Sequence, residues 1–197
     1  MYLAFDTETS GLDPVKHRIL QLGAIIVDDN FNEISKGHMK LSLTDQEWLD
    51  ADPGALKING ATKETWIPSH SSNEVSLQNF YDWIYKYMGD QVKHFSLLGY
   101  NIYNFDIPFL KELIQRYNKP WIFGFFHLDI MHLVRLWVLV TKSQLDSLKL
   151  KVACEHFGIP ITNHHESLAD VEATIKLTKA IIAHLREIRS GQKNLFK

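Results

Sequence analysis

Three short segments at the start of the chain constrain its fold more than any other feature. Tyr2–Thr7 and Ile19–Val27 are apolar and bounded by Gly, Asp and Pro residues, and Lys36–Leu43 alternates between polar and apolar residues. The connections between these segments have no room for a helix, and a parallel pair of strands needs a long crossover. We therefore expect three antiparallel strands in one sheet.

Helical and strand patterns alternate through the rest of the chain, beyond a polar stretch at residues 52–60. Three antiparallel strands followed by such units predict an α/β fold, with a mixed sheet covered by helices on its faces, in one layered domain. The predicted elements are helices at 80–88, Phe109–Tyr117, Met131–Val140, Leu145–Phe157 and Leu168–Ile188, and strands at His94–Tyr100 and Phe125–Asp129.

Charge and cysteine content limit the classes of function. Lys and Arg number 21 and Asp and Glu number 23, a formal net charge of −2, so a strongly basic nucleic-acid-binding surface is not expected. Cys154 is the single cysteine, which excludes an internal disulfide and favours a reducing, cytoplasmic setting. Two acids precede any apolar stretch of signal-peptide length, and Arg135 interrupts the apolar run Leu133–Val140, so we expect neither secretion nor membrane insertion.

The first chemical motif is Asp6–Leu12, at the end of the first predicted strand. Because strand side chains alternate, Asp6 and Glu8 share a face, roughly 6.5 to 7 Å apart along the strand. Two such carboxylates can bind one cation. Taken alone, two acids at a strand end are equally explained as solvated side chains.

The second motif is Gly99–Leu110, which spans a strand end and a helix start. Asn104 is a candidate N-cap, and Asp106 would lie in the first helical turn, where the helix dipole favours an acid. This position is also the edge of an α/β sheet where ligands usually bind. Asp106 is therefore a second candidate metal ligand.

The third motif is His165–Asp170, which opens the last predicted helix. Ser167 and Asp170 have the spacing of a capping box, a structural alternative for that acid. Five helical residues rotate by about 140°, so His165 and Asp170 can meet at one site only if the histidine lies in the preceding loop. We expect His165 there.

In order and spacing, these motifs resemble those of the DnaQ-like, or DEDDh, 3′→5′ exonucleases, a family with a ribonuclease H-like fold. Asp-x-Glu followed by Thr/Ser, Gly and an apolar residue matches Asp6–Leu12, the Asn-containing segment ending in Phe-Asp matches Asn101–Asp106, and His-x-x-x-x-Asp matches His165 and Asp170. Three motifs in the right order, each at the expected strand or helix boundary, are far more specific than any one alone.

Two details distinguish this chain within the superfamily. The segment from Asn101 to Asp106 is one residue longer than in many members, which leaves Asn101 and Asn104 as alternatives for contacting substrate. That spacing resembles the exonuclease domains of family B polymerases, which have Tyr four residues before the last Asp. Glu166 occupies that position here and His165 occupies the histidine position, so the His subclass is favoured.

The resemblance implies two-metal-ion hydrolysis with two Mg²⁺ or Mn²⁺ ions as cofactors. Asp6 and Asp170 would bind the ion on the nucleophile side with Glu8 contributing, Asp6 would bridge to the second ion, and Asp106 would hold that ion largely through water. His165 would be the general base, a role suited to its ordinary pKa of about 6.5.

The resemblance also implies substrate contacts around the terminal nucleotide. Leu12 would contact the terminal base, and for Phe109 core packing is an equal alternative. The residues implied are Thr9, Leu12, Asn59, Asn101, Phe105 and Phe109.

Three functions follow, and the first is favoured. They are a 3′→5′ exonuclease that releases nucleoside 5′-monophosphates from single-stranded or frayed DNA 3′ ends, an exoribonuclease that trims RNA, and a catalytically silent nucleic-acid-binding module. The silent module would be marked by loss of a carboxylate, whereas all four acids and His165 are present.

A short tail follows the catalytic domain predicted at residues 1–188. In the tail, residues 189–197, the pattern Gln-x-x-Leu-Phe at Gln192, Leu195 and Phe196 resembles peptides that bind bacterial sliding clamps. A frayed end is the alternative. Tethering would raise the effective concentration of a nuclease that has no basic surface, and would favour DNA as substrate.

Overall fold

The computed structural model describes residues 1–88, 95–161 and 166–192. Its described strands form one sheet in the order β3-β2-β1-β4-β5. The first three strands pair antiparallel, whereas β4 pairs parallel with β1 and β5 parallel with β4, which confirms the predicted mixed sheet. The strands are β1 (Tyr2–Thr9), β2 (Ile19–Val27), β3 (Glu33–Lys40), β4 (Ser96–Gly99) and β5 (Leu128–Asp129).

Helices cover both faces of this sheet because its apolar residues alternate between two cores. Leu3 and Phe5 of β1 face the core built with α3 and α4, whereas Ala4 faces the core built with α5, α6 and α7. The described helices are α1 (Asp45–Asp50), α2 (Pro53–Ile58), α3 (Asn73–Met88), α4 (Asp106–Arg116), α5 (Ile130–Thr141), α6 (Leu150–His156) and α7 (Ser167–Gln192).

The short helices α1 and α2 were not predicted from the sequence. Helix α2 lies within the polar stretch at residues 52–60, and α1 lies in the segment just before it. Neither helix has a buried residue, so neither carries an apolar periodicity. Their starts are fixed instead by capping. Thr44 and Glu47 form a capping box on α1, and Asp52 caps α2, which has Pro53 in its first turn.

Several element ends differ from the predicted ones. β3 begins at Glu33 and not at Lys36 as predicted. The turn at Asp28–Asn32 brings Glu33 opposite Val27 of β2, so the two strands pair before the alternating pattern begins. The edge strand β5 has two residues, and Phe125 and Phe126, predicted to belong to it, are exposed. The last helix continues past Ile188 to Gln192, where exposed residues carry no packing pattern. His94, the predicted start of a strand, lies outside the described residues.

A membrane-spanning helix is not found in the described ranges: none combines the length and apolar character that crossing a bilayer needs.

Candidate metal centre and active site

Three carboxylates meet at the end of β1. Asp6 and Glu8 project from the face of β1 that α7 covers, and Asp170 comes from the first turn of α7. One oxygen from each lies within 4.8 Å of the others, close enough for a shared ion. Carboxylate oxygens are the donors that Mg²⁺ and Mn²⁺ prefer, so this set fits a hard divalent cation.

A glycine lets α7 reach this position. Gly23 of β2 pairs with Asp6 across the β1–β2 ladder. A Cβ atom on Gly23 would lie 2.6 Å from the Leu168 nitrogen and 2.8 Å from the Ser167 carbonyl carbon. Any side chain at Gly23 would therefore push the start of α7, and with it Asp170, away from the sheet.

Ser167 does not cap α7. It is the first residue of the helix, and its fully buried hydroxyl has no hydrogen-bond partner in the part of the chain that the structure describes. The capping-box alternative for the Ser167–Asp170 pair is therefore wrong. Asp170 instead belongs to the carboxylate cluster.

Asp106 joins the site from the opposite face of the sheet. β4 pairs with β1 only over Tyr2–Ala4, which leaves the amide of Thr7 without a strand partner on that side. Asp106, the first residue of α4, accepts hydrogen bonds from the Thr7 backbone nitrogen at 2.9 Å and the Thr7 hydroxyl at 2.7 Å. These bonds hold the fourth acid beside β1.

The prediction that Asn104 caps α4 is wrong. Phe105 precedes the helix and makes no capping bond with its side chain, whereas the Asn104 amide donates to Asn101 Oδ1 at 2.9 Å. Asn101 has a positive φ of 62°. The two asparagines thus contact each other and stabilise the turn before α4.

Burial raises the pKa values of Asp6, Glu8 and Asp106, and neighbouring carboxylates add to the shift of each. Burial raises the pKa of Asp6 well above its usual range, with further contributions from the charges of Asp106, Glu8 and Asp170. Burial, followed by the charges of Asp170 and Asp106, raises the pKa of Glu8 to about 7. Burial also raises the pKa of Asp106 to about 7, against the opposing hydrogen bonds from Thr7. A bound cation would relieve this repulsion.

Asp129 is a buried acid that the sequence analysis did not select. Its Oδ1 accepts from the backbone nitrogens of Asn101 at 2.9 Å and Met131 at 3.0 Å, and its Oδ2 accepts from the Tyr103 nitrogen at 3.4 Å. Asp129 thereby anchors the turn that leads to Asp106. An acid at a strand end directly before a helix was the available signal.

The predicted substrate residues occupy different environments. Leu12 is 81% exposed, whereas Phe109 is 2% exposed, which favours the core alternative for Phe109. Phe105 is partly buried, with its ring centroid 5.1 Å from that of Phe109. Asn59 donates its amide to the Thr9 carbonyl at 2.8 Å, so it supports the strand end.

Some candidate residues cannot be placed. His165, Leu195 and Phe196 lie outside the described residues, and Gln192 is placed only as the last residue of α7. Their roles stay predictions.

Comparisons with known proteins find one family and several relatives that match most of the chain. The sequence model of the family described as Exonuclease (RNase T) matches residues 3–178. A PolC-type DNA polymerase III from Bacillus cereus is 25% identical over 190 residues, which is 92% of this chain and 12% of that protein. Exodeoxyribonuclease I from Escherichia coli is 25% identical over 194 residues, 91% of this chain and 39% of that protein.

Solved structures share the fold. A zinc-bound complex of E. coli exonuclease I with single-stranded DNA has a TM-score of 0.80 at 21% identity, covering 98% of this chain and 42% of that one. The chain thus spans about an eighth of the polymerase and two fifths of the exonuclease that it matches.

Proposed function

The chain belongs to the exonuclease family, and on that premise we propose that it is a metal-dependent 3′→5′ exonuclease that removes nucleoside 5′-monophosphates from DNA ends. The observation that carries this proposal is the meeting of Asp6, Glu8 and Asp170 within 4.8 Å, with Asp106 held beside them by Thr7. Four acids on three separate elements cost electrostatic energy, which a cation-binding function explains.

Each acid has a distinct place in this proposal. Asp6, Glu8 and Asp170 would hold one Mg²⁺ or Mn²⁺ ion, and Asp106 would serve a second ion together with Asp6. Bound ions supply water activation and compensate charge on the leaving 3′ oxygen. His165 would accept the proton of the attacking water, and its place in the loop before α7 is inferred from sequence.

DNA is the substrate that the relatives favour. The named relatives are a DNA polymerase and an exodeoxyribonuclease, and one solved relative holds single-stranded DNA. Replication or repair is the corresponding cellular role, and the lone Cys154 favours the cytoplasm.

Digestion of matched substrates tests the proposal. DNA and RNA single strands of one sequence, labelled at the 5′ end, are incubated with Mg²⁺, with Mn²⁺ or with EDTA. We expect stepwise shortening of DNA from the 3′ end with either ion, none in EDTA, and none with Asp6→Asn. Preferential shortening of RNA would replace the substrate assignment, and activity in EDTA would refute the metal mechanism.

The C-terminal pattern supports a tethering partner. We propose that Gln192, Leu195 and Phe196 bind the groove of a bacterial sliding clamp, with the two apolar residues as anchors. Leu195→Ala combined with Phe196→Ala should eliminate clamp binding and leave hydrolysis of short oligonucleotides intact. Undiminished binding by that variant, or no binding by the wild type at tens of micromolar, would refute the tether.

A further inference from the structure

Two adjacent phenylalanines are the most exposed large apolar side chains among the described residues. Phe125 and Phe126, just before β5, are 93% and 87% exposed. Neither belongs to the two hydrophobic cores. Single exposed apolar residues are ordinary, but two neighbouring aromatic rings in water indicate a binding surface.

The backbone that carries these rings is held on both sides. The Gly124 nitrogen donates to the Phe95 carbonyl at 2.9 Å. The Leu97 nitrogen donates to His127 Nδ1 at 3.2 Å, and the His127 nitrogen donates to the Tyr103 hydroxyl at 3.2 Å. The two phenylalanines therefore project from an anchored segment.

This segment is connected to the metal centre through Tyr103. The Tyr103 ring is 44% exposed, and its centroid lies 5.8 Å from that of His127. Tyr103 belongs to the turn that Asp129 anchors and that ends at Asp106. Phe126 precedes Asp129 by three residues, about 10 Å of extended chain. The parallel pairing of Leu98 with Leu128 sets Phe125 and Phe126 beside the start of β4, whereas Asp6 and Glu8 lie toward the end of β1. A strand whose 3′ end is at the carboxylates would therefore reach these rings several nucleotides upstream.

Positive charge flanks these rings. The Lys111 ammonium lies 5.4 Å from the centroid of the Trp121 ring. The centroid of that ring lies 6.4 Å from the centroid of the His127 ring. The neighbouring cleft on α4 is lined by two lysines and no carboxylate: its lining residues are Lys111, Ile114, Gln115, Asn118, Lys119 and Trp121. Aromatic rings beside lysines match a chain of bases and phosphates better than an apolar protein surface.

We propose that Tyr103, Phe125 and Phe126 form an aromatic surface on which bases of a single strand stack, upstream of the terminal nucleotide, with Lys111 and Lys119 beside the phosphates. This inference rests on the proposed function and extends it to nucleotides that are not yet at the scissile bond. Stacking tolerates any base, as an enzyme that shortens arbitrary sequences requires. It also supplies affinity that a net charge of −2 does not.

Binding measured without catalysis tests the aromatic surface. Fluorescence anisotropy of a labelled dT12 oligonucleotide in EDTA compares the wild type with the double variant F125S/F126S. We expect about 10-fold weaker binding or more, since both stacking contacts are removed. Leu139→Ser, which removes another exposed apolar residue on α5, is the matched control and should bind like the wild type. Lys111→Met should lower the salt dependence of binding by about 0.7 in log–log slope.

Hydrolysis of a dinucleotide separates this surface from the metal centre. With Mg²⁺, F125S/F126S should cleave the dinucleotide at the wild-type rate while its KM for dT12 rises. Equal loss on both substrates, unchanged dT12 binding, or a wild type that does not bind dT12 would overturn the proposal. Unchanged binding would assign the phenylalanines to a protein partner. If the wild type hydrolyses nothing, the proposed function fails, and the binding comparison still decides on the surface.

Discussion

Gly23 lies directly across the β1–β2 ladder from Asp6, and the first turn of α7 occupies the space that a side chain on Gly23 would fill. The position of Asp170 thus depends on the absence of a side chain on a neighbouring strand. A glycine far from Asp170 in sequence is a structural requirement of the carboxylate cluster.

Gly23→Ala should damage the metal centre. The added methyl group would meet the α7 backbone, so we expect a destabilisation of about 1–3 kcal/mol and a large loss of exonuclease activity. Gly37→Ala on β3 is the matched control, since its Cβ would lie 3.9 Å from the nearest atom, in the Trp83 ring. Urea denaturation and Mg²⁺ titration of activity measure the two effects. Equal behaviour of both variants would contradict the role given to Gly23.

Thr7→Val should weaken catalysis without altering the four acids. The substitution keeps the side-chain shape but removes the hydroxyl that donates to Asp106. Losing such a supporting contact typically costs about 10–100-fold in metal affinity or activity. We expect a higher Mg²⁺ concentration for half-maximal activity, with recovery in Thr7→Ser. Normal Mg²⁺ dependence in Thr7→Val would show that this bond does not position Asp106.

The metal-free protein should lose stability as the pH rises. The pKa of Glu8 is about 7 in the folded protein against 4.5 ordinarily, so between these values the folded state binds more protons than the unfolded state. The free energy of unfolding therefore falls by about 3 kcal/mol across this range and stays low above it. In EDTA, Tm should be higher at pH 5.5 than at pH 8.

Two additions isolate the cause of that pH dependence. Mg²⁺ at pH 8 should raise Tm, because it binds the ionised carboxylates of the folded state. Glu8→Gln should reduce the fall in Tm and abolish activity. An EDTA-treated wild type as stable at pH 8 as at pH 5.5 would contradict the repulsion among these acids.

Asp129→Asn should lower both stability and turnover. The amide cannot accept at both positions, so one backbone nitrogen among Asn101, Tyr103 and Met131 loses its partner, at a cost of about 1–3 kcal/mol. Turnover should fall because the anchored turn ends at Asp106. Asp28→Asn is the control, since Asp28 accepts from backbone nitrogens in a remote turn. Calorimetry measures the stability of both variants, and kcat should fall in Asp129→Asn but not in Asp28→Asn.

His165→Ala should lower turnover by about 100-fold or more while leaving Mg²⁺ and DNA binding intact, as expected for a lost general base. His164→Ala is the adjacent control and should retain activity. Isothermal titration of Mg²⁺ checks the first expectation. Equal loss of metal affinity would make His165 a ligand instead.

The mixed sheet and the carboxylate set were predictable because local patterns encode them. The two-residue period of a strand places Asp6 and Glu8 on one face. The position of Asp106 in the first turn of a helix was predictable from the helical pattern that begins there. The family assignment is confirmed by the match over residues 3–178. The substrate contacts stay predictions, since they depend on a bound nucleotide.

Features formed by long-range packing were not predictable in the same way. Nothing local marks Gly23 as the contact point of α7. Asp129 gains its role only when β5 lies beside the turn after β4. Helices α1 and α2 bury no side chain, so capping residues were their only signal.

The carboxylate cluster draws its acids from both β1 and α7, and this has a consequence for the order of protein synthesis. A ribosome releases Asp6 and Glu8 early, but the third carboxylate emerges only with α7, after every other described element. Chains grow from the N-terminus, so an unfinished chain carries an incomplete ion site. The carboxylate cluster is thereby complete only after α7 has docked against β1 and β2.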